Sequence, residues 1–140
     1  EEPLVGPRAP FQVVHQEPPV EPLDDTFPLR LTTGRRLDSY NTGVQTGAYA
    51  SPLRQRETID LSPHDARQLG LVPGDTVRVV SRRGAVTVKV GVDEGLKPGL
   101  TFMTLHTPDE VDVNLLTIDA TDPKSGTAEF KAAAVRVEKL

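Results

Sequence analysis

Residues 70–76 read Gly70-Leu71-Val72-Pro73-Gly74-Asp75-Thr76, and residues 95–101 read Gly95-Leu96-Lys97-Pro98-Gly99-Leu100-Thr101. Both carry the pattern G-L-x-P-G-x-T, and both lead into a strand-like stretch. Proline followed by glycine at the centre of a four-residue turn is the type II signature: proline presets φ at about −65°, and glycine takes the positive φ that comes next. Two copies are too few for a solenoid, which needs at least about three stacked units. They fit a closed barrel with internal two-fold similarity, each half using the same turn before a strand.

Working outward from these turns, the strands are short and plain. Thr76–Ser81 and Ala85–Val92 form a hairpin turned at Arg82-Arg83-Gly84, with Val77, Val79, Val86, Val88 and Val90 on one apolar face. The Arg pair at its tip is expected to be solvated. Leu100–Leu105 reads as a strand buried on both faces that delivers His106 at its end. Upstream, Thr58–Leu61 is a short strand with Ile59 and Leu61 inward. A helix over residues 63–69 follows, with Ser62 as N-cap, Pro63 at the first helical position, Asp65 at N3, Gly70 at C′ and Leu71 as the apolar contact after it. His64 reads as a solvated helix residue. Ala132–Val137 is the last strand. Residues 109–129 form a polar, irregular stretch, longer than the roughly 12–15 residues beyond which loops in compact domains are often functional.

The chemistry concentrates in Phe27 to Thr46, FPLRLTTGRRLDSYNTGVQT. Leu29, Leu31 and Thr33 alternate with Arg30 and Thr32 as in a half-buried strand, and Gly34 breaks the run. A loop rich in guanidinium, amide and hydroxyl groups follows: Arg35, Arg36, Tyr40, Asn41, Thr42, Gln45 and Thr46. Glycine admits close approach of a ligand to the backbone, and arginine offers a planar donor fork for phosphate or carboxylate. The pattern suits a phosphorylated, hydrogen-bonding ligand, and also an ordinary surface turn.

Composition narrows the field. A chain of 140 residues is expected to form one domain. Its net charge of −4 gives no support to general nucleic-acid or anionic-membrane binding. No apolar run approaches the roughly 18 residues of a membrane span, and the N-terminus EEPLVGPRAP lacks the pattern of a secretory signal. The first residue is not Met, so the chain is expected to be processed, trimmed or part of something longer. With no cysteine there is no disulfide, thiolate metal site, iron–sulfur cluster or Cys nucleophile within it. His15, His64 and His106 have no metal-ligand spacing, and no residue is expected to bind a metal directly. Residues 1–26, with six of the 13 prolines, read as an extended arm or linker on which Phe11, Val13 and Val14 are candidate docking residues; residues 27–140 are the folded domain.

Three blocks in this order and spacing carry a resemblance: LTTGRRLDSYNTG at 31–43, IDLSPHDARQLGLVPGDTVRVVSRRG at 59–84, and Asn114 followed by LLTIDATDPKSGTAEFKAAAVRVE through Glu138. The chain resembles the C-terminal molybdopterin-dinucleotide-binding domain of the dimethyl-sulfoxide reductase superfamily, and within it the formate dehydrogenase alpha chains, on YNTGVQT and on HTPDEVDVN. The resemblance implies a mainly β fold, a six-stranded double-psi β-barrel with one or two short helices and long polar loops. It implies binding of part of a bis(molybdopterin guanine dinucleotide) cofactor with molybdenum or tungsten. The cofactor contacts it implies are Thr33, Gly34, Arg35, Tyr40, Asn41, Thr42, Thr46, Asn114, Phe130 and Lys131, with His106 near a substrate funnel. Arg35, and in second place Arg36, would meet pyrophosphate. The metal ligand and iron–sulfur cluster would lie on a large catalytic subunit or domain, so the isolated chain would not be catalytically competent. No catalytic residue is assigned within it, and it would act in the cytoplasm without nucleic-acid or direct membrane contact. The alternatives are a piece of a nitrate reductase of the same superfamily and a non-catalytic barrel serving as a binding or adaptor module. A self-processing decarboxylase would need a Gly-Ser cleavage pair, and the sequence has none.

Overall fold

Six strands close on themselves in the order β1-β5-β2-β4-β3-β6. They are β1 (Leu29–Gly34), β2 (Thr58–Leu61), β3 (Thr76–Ser81), β4 (Ala85–Val92), β5 (Leu100–Thr104) and β6 (Ala133–Lys139), with helix α1 (Pro63–Gln68) after β2 and a 3₁₀ turn at Val113–Leu116. The structure is a computed structural model, and it describes residues 11, 13–36, 56–106 and 110–140. β1 runs parallel to β5 and β2 parallel to β4, while the remaining four pairings are antiparallel. Exchanging β1 with β4, β2 with β5 and β3 with β6 leaves every pairing and its sense unchanged, which is the two-fold logic of a double-psi barrel. The repeated heptapeptide does not follow that symmetry. Its copies precede β3 and β5, whereas the mate of β3 is β6. The repeat reflects a turn used twice, not the barrel's two halves.

Both copies do form the turn the sequence dictates. Gly74 and Gly99 have φ of 91° and 82°, and the closing bonds Asp75 N–H to Val72 O (3.1 Å) and Leu100 N–H to Lys97 O (3.1 Å) are those of type II turns. The helix ends as its residues predict: Gly70 N–H meets Arg67 O and Leu71 N–H meets Ala66 O, with Gly70 at φ 63°, a Schellman closure that buries Leu71 against the core. Asp65 does more than favour the helix N-terminus. It is buried, accepts from Ser62 Oγ (2.8 Å) and from Gly99 N–H (2.8 Å), and so ties α1 to the second turn. His64 keeps half of its side chain in solvent.

The interior is filled by alternate residues of every strand, including Leu31, Ile59, Leu61, Val77, Val79, Val88, Val90, Met103 and Val135. Burying each such side chain contributes about 1.5–3 kcal/mol. Two expectations shift. Gly34 does not break the strand but ends it, in register with Thr104. A Cβ there would lie 2.8 Å from the Phe102 ring, so a side chain at this point would force the ring to move. β5 is not sealed on both faces, because Phe102 stays partly exposed over that glycine.

The arm and the hairpin tip also differ from expectation. Phe11, Val13 and Val14 are exposed. The arm is instead held by Glu21, which is 3% exposed. Its carboxylate accepts from Arg82 Nη1 (2.7 Å), from Arg83 Nη1 (2.7 Å) and Nη2 (2.9 Å), and from Ala134 N–H (2.8 Å). Arg82 also pairs with Asp24, and the Phe27 ring lies under Arg82 and Arg136. The Arg pair is therefore not a solvated tip. A guanidinium's partner can lie 60 residues away, and a hairpin read by itself cannot reveal it. Burial alone would raise the Glu21 pKa, but the bonds from Arg83, Ala134 N–H and Arg82 outweigh it and hold the carboxyl at about 2. The Phe27 N–H and Arg82 likewise lower Asp24, and Glu21 and Asp24 raise Arg82.

Candidate functional site

Strand direction gathers the chemistry at one end of the barrel. β1, β3 and β5 all finish there and β2, β4 and β6 all begin there, as the registers Gly34↔Thr104, Thr58↔Lys89, Leu31↔Ala133 and Ser81↔Val135 require. Plain β-branched strands supply a rigid frame, and the polar residues follow or precede it on this rim. The opposite end carries α1 and the two type II turns.

At Thr33 the first and third of the resembling blocks meet. Thr33 is buried, donates its hydroxyl to Phe130 O (2.6 Å), and receives Lys131 Nζ on its carbonyl (2.7 Å). The ammonium also lies 4.9 Å from the centre of the Phe130 ring. Thr33, Phe130 and Lys131 are thus one cluster, with Gly34 and Arg35 next in the chain, although nearly a hundred residues separate its parts. Arg35 is exposed at its edge. An ammonium has three donors, and the Thr33 carbonyl uses one of those on Lys131.

The other expected residues are placed differently. Tyr40, Asn41, Thr42 and Thr46 lie outside the described residues. Asn114 sits exposed on the 3₁₀ turn, its N–H bonded to Asp112 Oδ1 (3.1 Å) and its carbonyl taking the Thr117 hydroxyl (3.0 Å). That turn shares the rim but reaches it on the β3–β4 side. Arg83 grips Leu116 O with Nε (3.3 Å) and Nη2 (2.7 Å), and Gly84 leaves room for Leu115 O. His106 is buried and accepts the Arg36 N–H on Nε2 (2.9 Å), so this ring nitrogen is the unprotonated one. Arg36 does not present its guanidinium outward: Nη2 is bonded to Asp60 and to Thr58 Oγ1 (3.0 Å).

Sequence reasoning missed Thr58, Asp60, Phe102 and Glu21. Asp60 lies between two buried aliphatics in β2 and looks like an outward-facing strand residue. Only the closed barrel shows that it faces Arg36. No metal site emerges: among the described residues no three His, Asp or Glu converge in a way that could hold a metal ion. None of the described helices is long and apolar enough to cross a membrane.

The donors around Thr33, namely the exposed Arg35 guanidinium, the Lys131 ammonium and the backbone beside Gly34, suit the chemistry of a pyrophosphate-bearing ligand. Comparison with known proteins bears on the family. The profile described as "Molydopterin dinucleotide binding domain" matches residues 29–134. The F420-dependent formate dehydrogenase 2 subunit alpha of Methanococcus maripaludis is 40% identical over 132 residues, 93% of this chain and 19% of that protein. The assimilatory nitrate reductase of Haloferax mediterranei is 39% identical over 139 residues, 96% of this chain and 19% of that protein. Among solved structures, acetylene hydratase from Pelobacter acetylenicus superposes with a TM-score of 0.65 at 19% identity, over 81% of this chain and 18% of that one, which bears on the fold. The chain spans about a fifth of the length of the curated relatives it matches.

Proposed function

Because the chain belongs to the molydopterin dinucleotide binding domain family, we propose that it holds one part of a bis(molybdopterin guanine dinucleotide) cofactor within a larger molybdenum or tungsten oxidoreductase of the formate dehydrogenase type. The observation that carries this reading is the Thr33–Lys131 cluster, which brings two distant blocks to one rim beside Arg35. Arg35 and Lys131 would meet pyrophosphate, the backbone beside Gly34 would add N–H donors, and Asn114 would offer an amide edge to a pterin or guanine ring. Tyr40, Asn41, Thr42 and Thr46 would extend the same surface, and His106 would lie near the substrate funnel. When bound, the cofactor's metal supplies the redox step; this chain's residues bind and orient the dinucleotide.

Magnitudes favour a shared site. Each charge-assisted hydrogen bond contributes about 1.5–3 kcal/mol, and a few of them must offset an association cost of about 4–15 kcal/mol. The chain alone would therefore hold the cofactor weakly and would not be catalytically competent. The metal ligand and iron–sulfur cluster would come from a large catalytic subunit or domain, in a cytoplasmic enzyme. The identity to a nitrate reductase supports a second reading, in which the same site serves nitrate reduction. Affinity purification with metal and guanine nucleotide measured by mass spectrometry tests the proposal. A monomer that carries neither, and that never associates with a cysteine-rich partner, would sink it; turnover of formate or nitrate by the assembled enzyme separates the two readings.

A further inference from the structure

We propose that Arg36 is a positioning residue, clamping the end of β1 to β2 and β5 so that residues 33–35 are held ready for the cofactor; this rests on the cofactor reading above. Its guanidinium bonds Asp60 and Thr58 Oγ1 (3.0 Å), and Thr58 Oγ1 in turn donates to Asp60 Oδ1 (2.8 Å). Its backbone N–H is fixed separately, on His106 Nε2 (2.9 Å) just beyond β5. The Phe102 ring, whose centre is 6.0 Å from the guanidinium carbon, packs against Gly34 and lies opposite Asp60 in the β2–β5 register. Gly91, the partner of Asp60 on β4, leaves the space its carboxylate occupies, since a Cβ there would overlap Oδ1.

Three strands thus converge on one side chain two residues past the end of β1. Neighbouring residues in an extended chain point to opposite sides. Pinning Arg36 against Asp60 therefore turns Arg35 to the other side of the chain, and the structure shows this division, with Arg36 partly buried and Arg35 exposed. Of the two adjacent arginines, one is a ligand arm and the other its internal anchor. Lysine is not equivalent at position 36, because its flexible stem does not hold a donor in the fixed plane that sets Arg36 Nη2 between Asp60 and Thr58.

The test compares Arg36→Lys, Asp60→Asn, the double variant and Asp65→Ala in the protein as purified with its partners. Asp65 stabilises the far end of the barrel and serves as a stability control. Two quantities are read: molybdenum or tungsten with guanine nucleotide retained per chain, and amide hydrogen exchange in the peptide covering 30–36. Arg36→Lys and Asp60→Asn should each speed exchange at 34–36 by about tenfold, the loss expected for one charge-assisted bond. Each should also lower retention several-fold. The double variant should be no worse than the poorer single one, and Asp65→Ala should keep its cofactor at an equal loss of melting temperature. Unchanged exchange at 34–36, additive losses, or equal cofactor loss in Asp65→Ala would each overturn the proposal. A wild-type protein without guanine dinucleotide would refute the cofactor reading instead, and exchange alone would then decide whether the clamp exists.

Discussion

Replacing Glu21 with Gln keeps the shape of the arm's anchor and removes its charge. The carboxylate is 3% exposed and accepts four hydrogen bonds, three of them from the guanidinium groups of Arg82 and Arg83. Its pKa falls from 4.5 to about 2 on folding. Since about 1.36 kcal/mol corresponds to each tenfold change in proton affinity, the charged form favours the folded state by at most about 3 kcal/mol. Arg82 and Arg83 remain about a third exposed, so solvent screening brings this nearer to 2 kcal/mol. For a domain of this size that is a fall in Tm of about 6 °C at pH 7. The sign follows from the direction of the shift. A depressed carboxyl stabilises above its unfolded pKa and loses that contribution as pH falls through its folded one. The gap between wild type and Glu21→Gln should be full above pH 4.5 and shrink steadily towards pH 2. Thermal unfolding followed by circular dichroism at pH 7, 4 and 2.5 measures it. A gap below about 1 °C at pH 7, or one that stays constant down to pH 2.5, would refute the reasoning.

Three further outcomes are expected. Arg35→Ala should lower cofactor occupancy of the assembled enzyme more than Arg83→Ala does, and equal molybdenum content in the two would count against the site. Lys131→Ala should weaken cofactor retention while costing the fold the charge-assisted bond to Thr33 O and the contact with the Phe130 ring, about 2 kcal/mol or about 6 °C in Tm; a collapse in Tm would contradict this. Gly34→Ala should cost about 1–3 kcal/mol, because its Cβ would strike the Phe102 ring, and Phe102→Leu in the same chain should recover much of that loss in urea titrations.

What could be read from the residues was whatever local geometry decides. The helix caps, both Pro-Gly turns and the alternation in β1, β3 and β4 depend on neighbours within four positions, and they stand as expected. The repeated turn was legible, but its relation to the barrel's symmetry was not, since strand pairing is decided by closure over the whole sheet. The site divides the same way. Thr33, Gly34 and Lys131 carry a pattern that survives in sequence, and the structure brings them together. Asp60 and Glu21 do not stand out, because a carboxylate in a strand or a proline-rich arm becomes buried only when a guanidinium from elsewhere meets it. The error over Arg82 and Arg83 has the same cause, seen from the cation's side.

This changes how the Arg35 and Arg83 comparison must be made. Arg83 bonds Glu21 of the arm and Leu116 O of the turn that carries Asn114, while Ala134, beside β6's start, bonds the same carboxylate. Removing Arg83 therefore loosens the arm, the hairpin tip and the Asn114 turn at once. Any loss of cofactor in Arg83→Ala would travel through that loosening and should scale with its drop in Tm. Glu21→Gln provides the calibration, since it breaks the same network from the opposite side without touching a residue proposed to meet the cofactor. If Arg35→Ala loses molybdenum with Tm unchanged, while Arg83→Ala falls on the line joining wild type and Glu21→Gln, then Arg35 acts on the ligand and Arg83 on the frame. If Arg35→Ala falls on that line as well, its guanidinium is part of the frame, and the assignment of the exposed arginine to pyrophosphate is wrong.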